Sequence, residues 1–290
     1  MTLFNLGSIN IDNFYRVPHM PTPGETLAAE EHSVGLGGKG ANQSVASARA
    51  GSQVRHIGAV GPEGDWCVEV LTQAGVDTRH ITRAQVATGH ANILIDPEGE
   101  NQIILYPGAN RTFSRDHVSE ALSDAGPGDT LILQNETALT VEAATLAKSK
   151  GLRVIYSAAP FVADDAKAML PVTDMLVLNA VEAQQLIDAL GVGLADLQVP
   201  VVLITKGADG AVWMENGVET AQVPAFPVTP VDTTGAGDCF IGYVAAGLDQ
   251  GMLPEEAMRL GSAASAIKVT RFGTADAIPT RDEVDRFLQD

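Results

Sequence analysis

The chain has 290 residues, 45% of them hydrophobic and 19% charged, a globular composition that excludes a disordered or collagen-like protein. At about 100–200 residues per domain, this length allows one large or two modest domains. Against 18 Lys and Arg stand 36 Asp and Glu, and the resulting net charge of −18 excludes nucleic acid and anionic membranes as partners, so any anionic ligand needs a local site of backbone N–H groups or a well-placed lysine.

The N-terminus reads MTLFNLGSINID, with no basic region ahead of an apolar run. No stretch approaches the roughly 18 apolar residues of a membrane span, and a cytoplasmic protein is expected. In chain order, a short apolar strand is predicted at 3–6, β-hairpin material at 14–33, and a helix at 41–50. A strand at 54–60 and a helix at 65–74 follow, then a second β-hairpin region at 88–106 whose halves flank the turn Pro97-Glu-Gly-Glu100. From there helices at 114–124, 141–150 and 181–190 alternate with strands at 130–133, 153–156, 175–178 and 201–204. Two longer helical windows, 236–248 and 254–271, close the pattern around the break at Gly251, Leu253 and Pro254. This alternation predicts an α/β fold, a doubly wound, mainly parallel sheet with helices on both faces. The two β-rich regions, about 13–34 and 88–107, read as a small protruding β-sheet lid on a single domain spanning 1–290.

Cys67 and Cys239 are too few for a disulfide framework or a zinc site and read as buried thiols, and the six histidines lack metal-ligand spacing. Asn-x-Ser/Thr triplets begin at Asn42, Asn110 and Asn135, but the N-terminus offers no secretory route to glycosylation.

Two segments carry chemistry. In Gly35-Leu-Gly-Gly-Lys-Gly-Ala-Asn42 the spacing G-x-G-x-x-G is a weak dinucleotide signal, and Gly40 stands where a P-loop needs Ser or Thr. What remains is a glycine loop running into a helix, with Lys39 and Asn42 as donors to a small polar ligand. In Val231-Asp-Thr-Thr-Gly-Ala-Gly-Asp-Cys-Phe240, unpaired N–H groups of Gly235, Ala236 and Gly237 at a helix N-terminus make an anion hole for phosphate. A carboxylate beside such a hole repels its ligand, so Asp238 reads as a general base for an attacking hydroxyl. The alternative is that Asp232 and Asp238 are ordinary helix-start acids.

Gly37-Gly-Lys-Gly-Ala-Asn42 and Asp232-Thr-Thr-Gly-Ala-Gly-Asp238 together resemble the two signature segments of the PfkB carbohydrate kinases. The similarity is strongest to the ribose-phosphorylating members and extends through Gly7–Asp12, Pro21–Thr26, Tyr106–Asn110, Leu133–Glu136, Ile204–Gly210 and Val269–Gly273. It implies transfer of the γ-phosphate of ATP to the O5 hydroxyl of D-ribose. Deoxyribose, fructose, 2-keto-3-deoxygluconate or a nucleoside are alternative acceptors, and an idle sugar-binding regulator is a rival reading.

Carried over, the resemblance implies a sugar site of Asn10, Asp12, Gly38, Lys39, Asn42, Glu136 and Asp238. Asn179 and Glu182 would organise waters around Mg²⁺, while Thr205, Lys206, Gly207, Gly210 and Gly237 would lie beside the nucleotide. A monovalent cation, K⁺, would be held by oxygens of Asp232, Thr234, Lys268, Arg271 and Gly273; Ala277 departs from the hydroxyl residue the family commonly has there. A homodimer paired through the β-lid is also implied.

Overall fold

The computed structural model describes residues 1–289. From the N-terminus, β1 (Thr2–Leu6) leads into β2 (Asn10–Arg16) and β3 (Glu31–Gly37), and then α1 (Lys39–Arg49), β4 (Gln53–Val60), α2 (Asp65–Gln73) and β5 (Val76–Arg83). The middle of the chain forms β6 (Gly89–Ile95), β7 (Asn101–Tyr106), α3 (Arg115–Ala121), β8 (Thr130–Gln134), α4 (Thr140–Ser149), β9 (Arg153–Ser157), α5 (Ala163–Met169) and β10 (Met175–Asn179). It ends with α6 (Ala180–Leu190), β11 (Val201–Thr205), β12 (Ala211–Glu215), β13 (Val218–Val223), α7 (Ala236–Asp249), α8 (Pro254–Val269) and α9 (Arg281–Phe287).

Nine strands form one sheet in the order β13-β12-β11-β10-β9-β8-β1-β4-β5, parallel from β5 to β11 with an antiparallel hairpin at the far edge. Its inner strands are apolar along their length because both faces are covered. Leu3 of β1 packs with α1, α2, α7 and α8 on one face, while Phe4 and Leu6 pack with α3 to α6 on the other. The chain first adds strands to one side of β1 and returns with β8 on its other side. That reversal opens a crevice beyond the carboxyl ends of β1 and β8, the place where open α/β sheets bind ligands.

A second sheet, β3-β2-β6-β7, stands over that crevice. The two β-rich regions are joined by parallel pairing of β2 with β6, from Asn10↔Gly89 to Arg16↔Ile95. Asn10 and Asp12 therefore lie on a strand and not in a turn. Along β2 the alternation buries Asn10, Asp12 and Phe14 on one face.

Close backbone approach explains much of the first glycine loop. Gly38 has φ 90°, and a Cβ on Gly40 would lie 2.3 Å from the Gly7 Cα. Here α1, which begins at Lys39 and not at residue 41, is wedged against the end of β1 and against α7. Its residues from Gly40 to Ser47 are all buried, so the polar ones must find partners inside. Beyond the expected elements, the structure adds β5, β12, β13, α5 and α9.

Candidate active site

Beyond β1, β8, β10 and β11 lie two cavities. The first, about 210 Å³, is lined by Lys39, Asn179, Glu182, Thr205, Thr233 and the turn from Gly235 to Asp238, among others. The second, about 140 Å³, is lined by Asn10, Leu105, Asn110, Asn135 and Glu136, with proline and arginine at its rim. They are bridged where the Lys39 backbone N–H donates to Glu136 Oε2 at 3.2 Å.

Asp238 is buried in the first turn of α7. Asn42 Nδ2 donates to its Oδ2 at 3.1 Å and Gln43 Nε2 to its Oδ1 at 3.0 Å, so both oxygens are held in one orientation. Behind Gln43 an amide chain runs into the core. Gln134 Nε2 donates to Gln43 Oε1 at 2.7 Å and to Asn5 Oδ1 at 3.0 Å, and Asn5 Nδ2 donates to the Gly40 carbonyl at 3.0 Å. Neutral amides can orient a carboxylate without fully neutralising it, as a proton acceptor requires.

Gly235 caps α7 at φ 73°, in the left-handed region. The expected anion hole changes in one member: the Ala236 N–H donates to the Thr233 carbonyl at 3.2 Å, because the turn closes on itself. The N–H groups of Gly235, Gly237 and Asp238 have no hydrogen-bond partner among the described residues and sit at the positive end of the α7 dipole.

Lys39 borders the first cavity, and the charge of Asp238, opposed by burial and then aided by Glu136, Glu182 and Asp12, holds its ammonium pKa above the usual lysine value. The lysine expected beside the sugar thus also faces the phosphate side. Around it, Asp12 is buried, and desolvation followed by the charges of Glu136 and Asp238 pushes its carboxyl up to about 7. Glu136 is fixed by Ser8 Oγ, which donates to the same Oε2 that accepts from Lys39. Asn10 is fixed by Asn110, whose Nδ2 donates to Asn10 Oδ1 at 2.8 Å. Asn42 carries an orphaned buried acceptor, Oδ1, which a ligand hydroxyl can satisfy.

Asn179 and Glu182 prove to be a helix cap as well as cavity lining. Asn179 Oδ1 accepts from the Glu182 N–H and Glu182 Oε2 from the Asn179 N–H, each at 2.8 Å. Burial raises the Glu182 carboxyl, against the Asn179 hydrogen bond and the Lys39 charge. Among the described residues no cluster of three His, Cys, Asp or Glu is arranged to hold a metal ion. One carboxylate with an amide beside an anion hole fits Mg²⁺, which keeps its waters and takes phosphate oxygens. Thr205 lines the cavity, whereas Lys206 and Gly207 are exposed and not part of its lining. At Gly210 a Cβ would fall 2.0 Å from the Val223 carbonyl oxygen, so that glycine is required by packing.

In the expected monovalent-cation loop the oxygens of Asp232 and Lys268 are engaged, whereas the carbonyls of Thr234, Arg271 and Gly273 accept no hydrogen bond among the described residues. Asp232 Oδ1 accepts the Thr234 N–H at 2.8 Å and Oδ2 the Gly273 N–H at 2.9 Å, while the Lys268 carbonyl accepts from the Arg271 N–H at 3.0 Å. The Arg271 guanidinium turns away to Glu283, 2.6 Å distant. Lys268 itself is fully buried and its Nζ donates to the Asp232 carbonyl at 2.9 Å. That ammonium takes up one oxygen of Asp232, a residue expected to hold the cation.

Sequence reasoning misses Gln43, Gln134, Asn5 and Asn110 as members of the site, although Gln134 and Asn110 lie in segments that carry the family resemblance and Asn110 also begins a glycosylation triplet. All three triplet asparagines are buried. The two cysteines are free and buried, and desolvation pushes each thiol up to about 12, as expected of inert core residues.

The family model described as pfkB family carbohydrate kinase matches residues 2–281. The chain is 38% identical to the ribokinase of Haemophilus influenzae, over 99% of this chain and 98% of that one. Among solved structures it is similar to ribokinase from Thermotoga maritima, with TM-score 0.89 and 34% identity over 100% of this chain and 99% of that chain. The structure of Arabidopsis thaliana ribokinase complexed with ribose and ATP matches with TM-score 0.86 and 27% identity, covering 100% of this chain and 98% of that one.

Proposed function

The chain belongs to the pfkB family of carbohydrate kinases, and on that premise we propose that it transfers the γ-phosphate of ATP to the primary O5 hydroxyl of D-ribose, giving D-ribose 5-phosphate. The observation that carries this reading is the placement of Asp238: its carboxylate, held by Asn42 and Gln43, lines the same cavity as the donor-rich anion hole and Lys39, whose backbone N–H reaches Glu136 of the neighbouring cavity. Kinship with ribokinases, one of them solved with ribose and ATP, supports the two substrates.

In this reading Asn10, Asp12, Asn42 and Glu136 bind the sugar hydroxyls, and Gly38 lets the sugar approach the backbone. The phosphates of ATP lie against the N–H groups of Gly235, Gly237 and Asp238 with Lys39 on their flank, and the rest of the nucleotide extends past Thr205 toward the exposed Lys206 and Gly207. Asp238 takes the proton of O5 as that oxygen attacks the γ-phosphorus. The N–H groups and Lys39 stabilise charge on the phosphoryl group in flight. Mg²⁺, held through water by Glu182 and Asn179, would supply charge neutralisation on the phosphates. The second sheet acts as a lid that excludes water from the transferring group.

ATP as donor and the two free thiols support a cytoplasmic enzyme. The outer strand of the lid, β7, leaves Ile103, Ile104, Leu105 and Tyr106 exposed, which supports pairing of two lids in a homodimer. Ile104→Asp, at a residue outside both cavities, is expected to shift the protein to a monomer in light scattering; an unchanged mass places the interface elsewhere.

Gln43→Leu is expected to lower kcat about ten-fold with little change in the KM for ATP, because it frees Asp238 Oδ1 without touching the anion hole. Steady-state kinetics check this, and equal loss in kcat and ATP affinity contradicts it. The acceptor itself is tested by a coupled assay over ribose, deoxyribose, fructose, 2-keto-3-deoxygluconate and nucleosides. The highest kcat/KM is expected for ribose, and ATP and sugar binding without turnover on any of them would favour an idle regulator.

A further inference from the structure

The buried lysine at the end of α8 has no part in binding sugar or nucleotide, yet it stands directly behind the catalytic turn. Lys268 is 0% exposed, and its Nζ donates to the Asp232 carbonyl at 2.9 Å. Burying an ammonium is costly unless opposite charge surrounds it. Asp232 and Asp238 supply part of that charge: burial still holds the ammonium below the usual lysine value, opposed by Asp232, by Cys239 and by Asp238. The same stretch of α8 grips the turn at other points. Ser265 Oγ donates to the Ala236 carbonyl at 2.9 Å, and the Val231 and Asp232 N–H groups both donate to the Val269 carbonyl, at 2.7 and 3.1 Å. The Asp232 carboxylate in turn ties the Thr234 N–H to the Gly273 N–H. Residues 231–236 are thus stitched to the end of α8 and the loop after it, with one positive charge at the centre of the stitching.

We propose that the Lys268 ammonium takes the place of a bound monovalent cation in this chain. It neutralises the Asp232 side of the turn and fixes the N–H groups of Gly235, Gly237 and Asp238 in their phosphate-binding orientation, so phosphoryl transfer needs no K⁺. Lys268 is a positioning residue, touching neither substrate. An ammonium and a bare monovalent cation are chemically alike in this role, since each carries a single charge and is satisfied by carbonyl and carboxylate oxygens. The ammonium differs in being covalently supplied, and it cannot be diluted away. The inference rests on the reading of residues 235–238 as the phosphoryl-binding turn.

The test compares ribose phosphorylation in KCl, NaCl and choline chloride at one ionic strength, which separates specific binding from screening. Wild-type rates are expected to agree within about two-fold across the three salts. Activation several-fold by K⁺ over choline overturns the inference while leaving the kinase reading intact, whereas absence of turnover in every salt overturns both. Lys268→Ala in choline chloride is expected to lose roughly 10- to 100-fold in kcat, the cost of misaligning charge-stabilising groups. Adding KCl or ammonium chloride to that variant should restore part of the loss, an effect that a purely structural lysine would not show. Wild-type kcat in the Lys268→Ala variant without added cation, or a loss that neither ion relieves in a variant that melts cooperatively, also overturns the inference. The wild-type salt comparison needs no variant and decides the matter if Lys268→Ala does not fold.

Discussion

Asp238→Asn is expected to lower kcat by at least about 100-fold, and by as much as roughly 10⁴-fold, while ATP binds as well as before or better. The substitution keeps the side chain's shape and leaves the N–H groups of Gly235, Gly237 and residue 238 in place. It removes the proton acceptor. It also removes a negative charge beside the phosphates, which is why nucleotide affinity should hold or rise. One of the two amide donors, Asn42 Nδ2 or Gln43 Nε2, would then face an NH₂ group and lose its hydrogen bond, at a cost of about 1–3 kcal/mol. Stability is therefore measured alongside kinetics. Turnover within a few-fold of wild type would remove Asp238 from the role of base, and weakened ATP binding would mean the turn had collapsed.

The second large effect falls on the sugar. Asp12→Asn is expected to weaken ribose binding roughly 10- to 100-fold, because each hydrogen bond to a charged acceptor is worth about 1.5–3 kcal/mol, and to leave ATP affinity nearly unchanged. Its pH dependence has a definite sign. Burial, then Glu136 and Asp238, raise the Asp12 carboxyl from 3.8 to about 7 in the free protein. The folded state therefore holds a proton that the unfolded chain has released, and Asp12 costs stability increasingly as pH climbs through that window. At pH above 7 the cost reaches on the order of 4 kcal/mol at most. Asp12→Asn should accordingly melt higher than wild type near pH 8 and about the same near pH 4. Sugar hydroxyls donate to the carboxylate, so wild-type ribose affinity should rise from about pH 6 to about pH 8, and the variant's should be flat. Calorimetric titration at both pH values checks this. A wild-type affinity that does not change with pH, or a variant that binds ribose normally, would move the sugar away from Asp12.

The parts of this site that could be read from the chain are those whose local pattern carries the chemistry. The turn Gly235-Ala-Gly-Asp238 ahead of an apolar helix, and the Gly37-Gly-Lys-Gly40 loop ahead of α1, declare themselves as anion and ligand loops by composition alone. Inner strands such as β8 and β11 were legible because they are apolar throughout. β5, Val-Asp-Thr-Arg-His-Ile-Thr-Arg, was not, since only Val76 and Ile81 are buried and its place is set by α2 and by pairing with β4. The hairpin of β12 and β13 does carry a signal in Asn216-Gly217, whose φ values of 48° and 81° suit a tight turn.

The amide chain behind Asp238 lay beyond sequence reading. Gln43 meets Asp238 across 195 positions and Gln134 meets Asn5 across 129, and a glutamine on a helix or strand has no spacing that marks its partner. Asn179 and Glu182 show the opposite case, a spacing that fits a capping box and, by kinship, a metal site, and their geometry serves the first while leaving room for the second. Lys268 belongs with the amides. Its number could be placed in the loop by resemblance, but only the fold directs its side chain back to Asp232.

The proposed catalysis turns on one event, attack by the ribose O5 on the γ-phosphorus with Asp238 receiving the proton. Incubating the protein with ATP, Mg²⁺ and D-ribose, and following the product by phosphorus and proton NMR, tests it most directly. The expected result is stoichiometric ADP and a phosphate coupled to the C5 protons of ribose, lost in Asp238→Asn. Phosphate appearing on the anomeric oxygen, or ATP hydrolysed with ribose left unmodified, would contradict it.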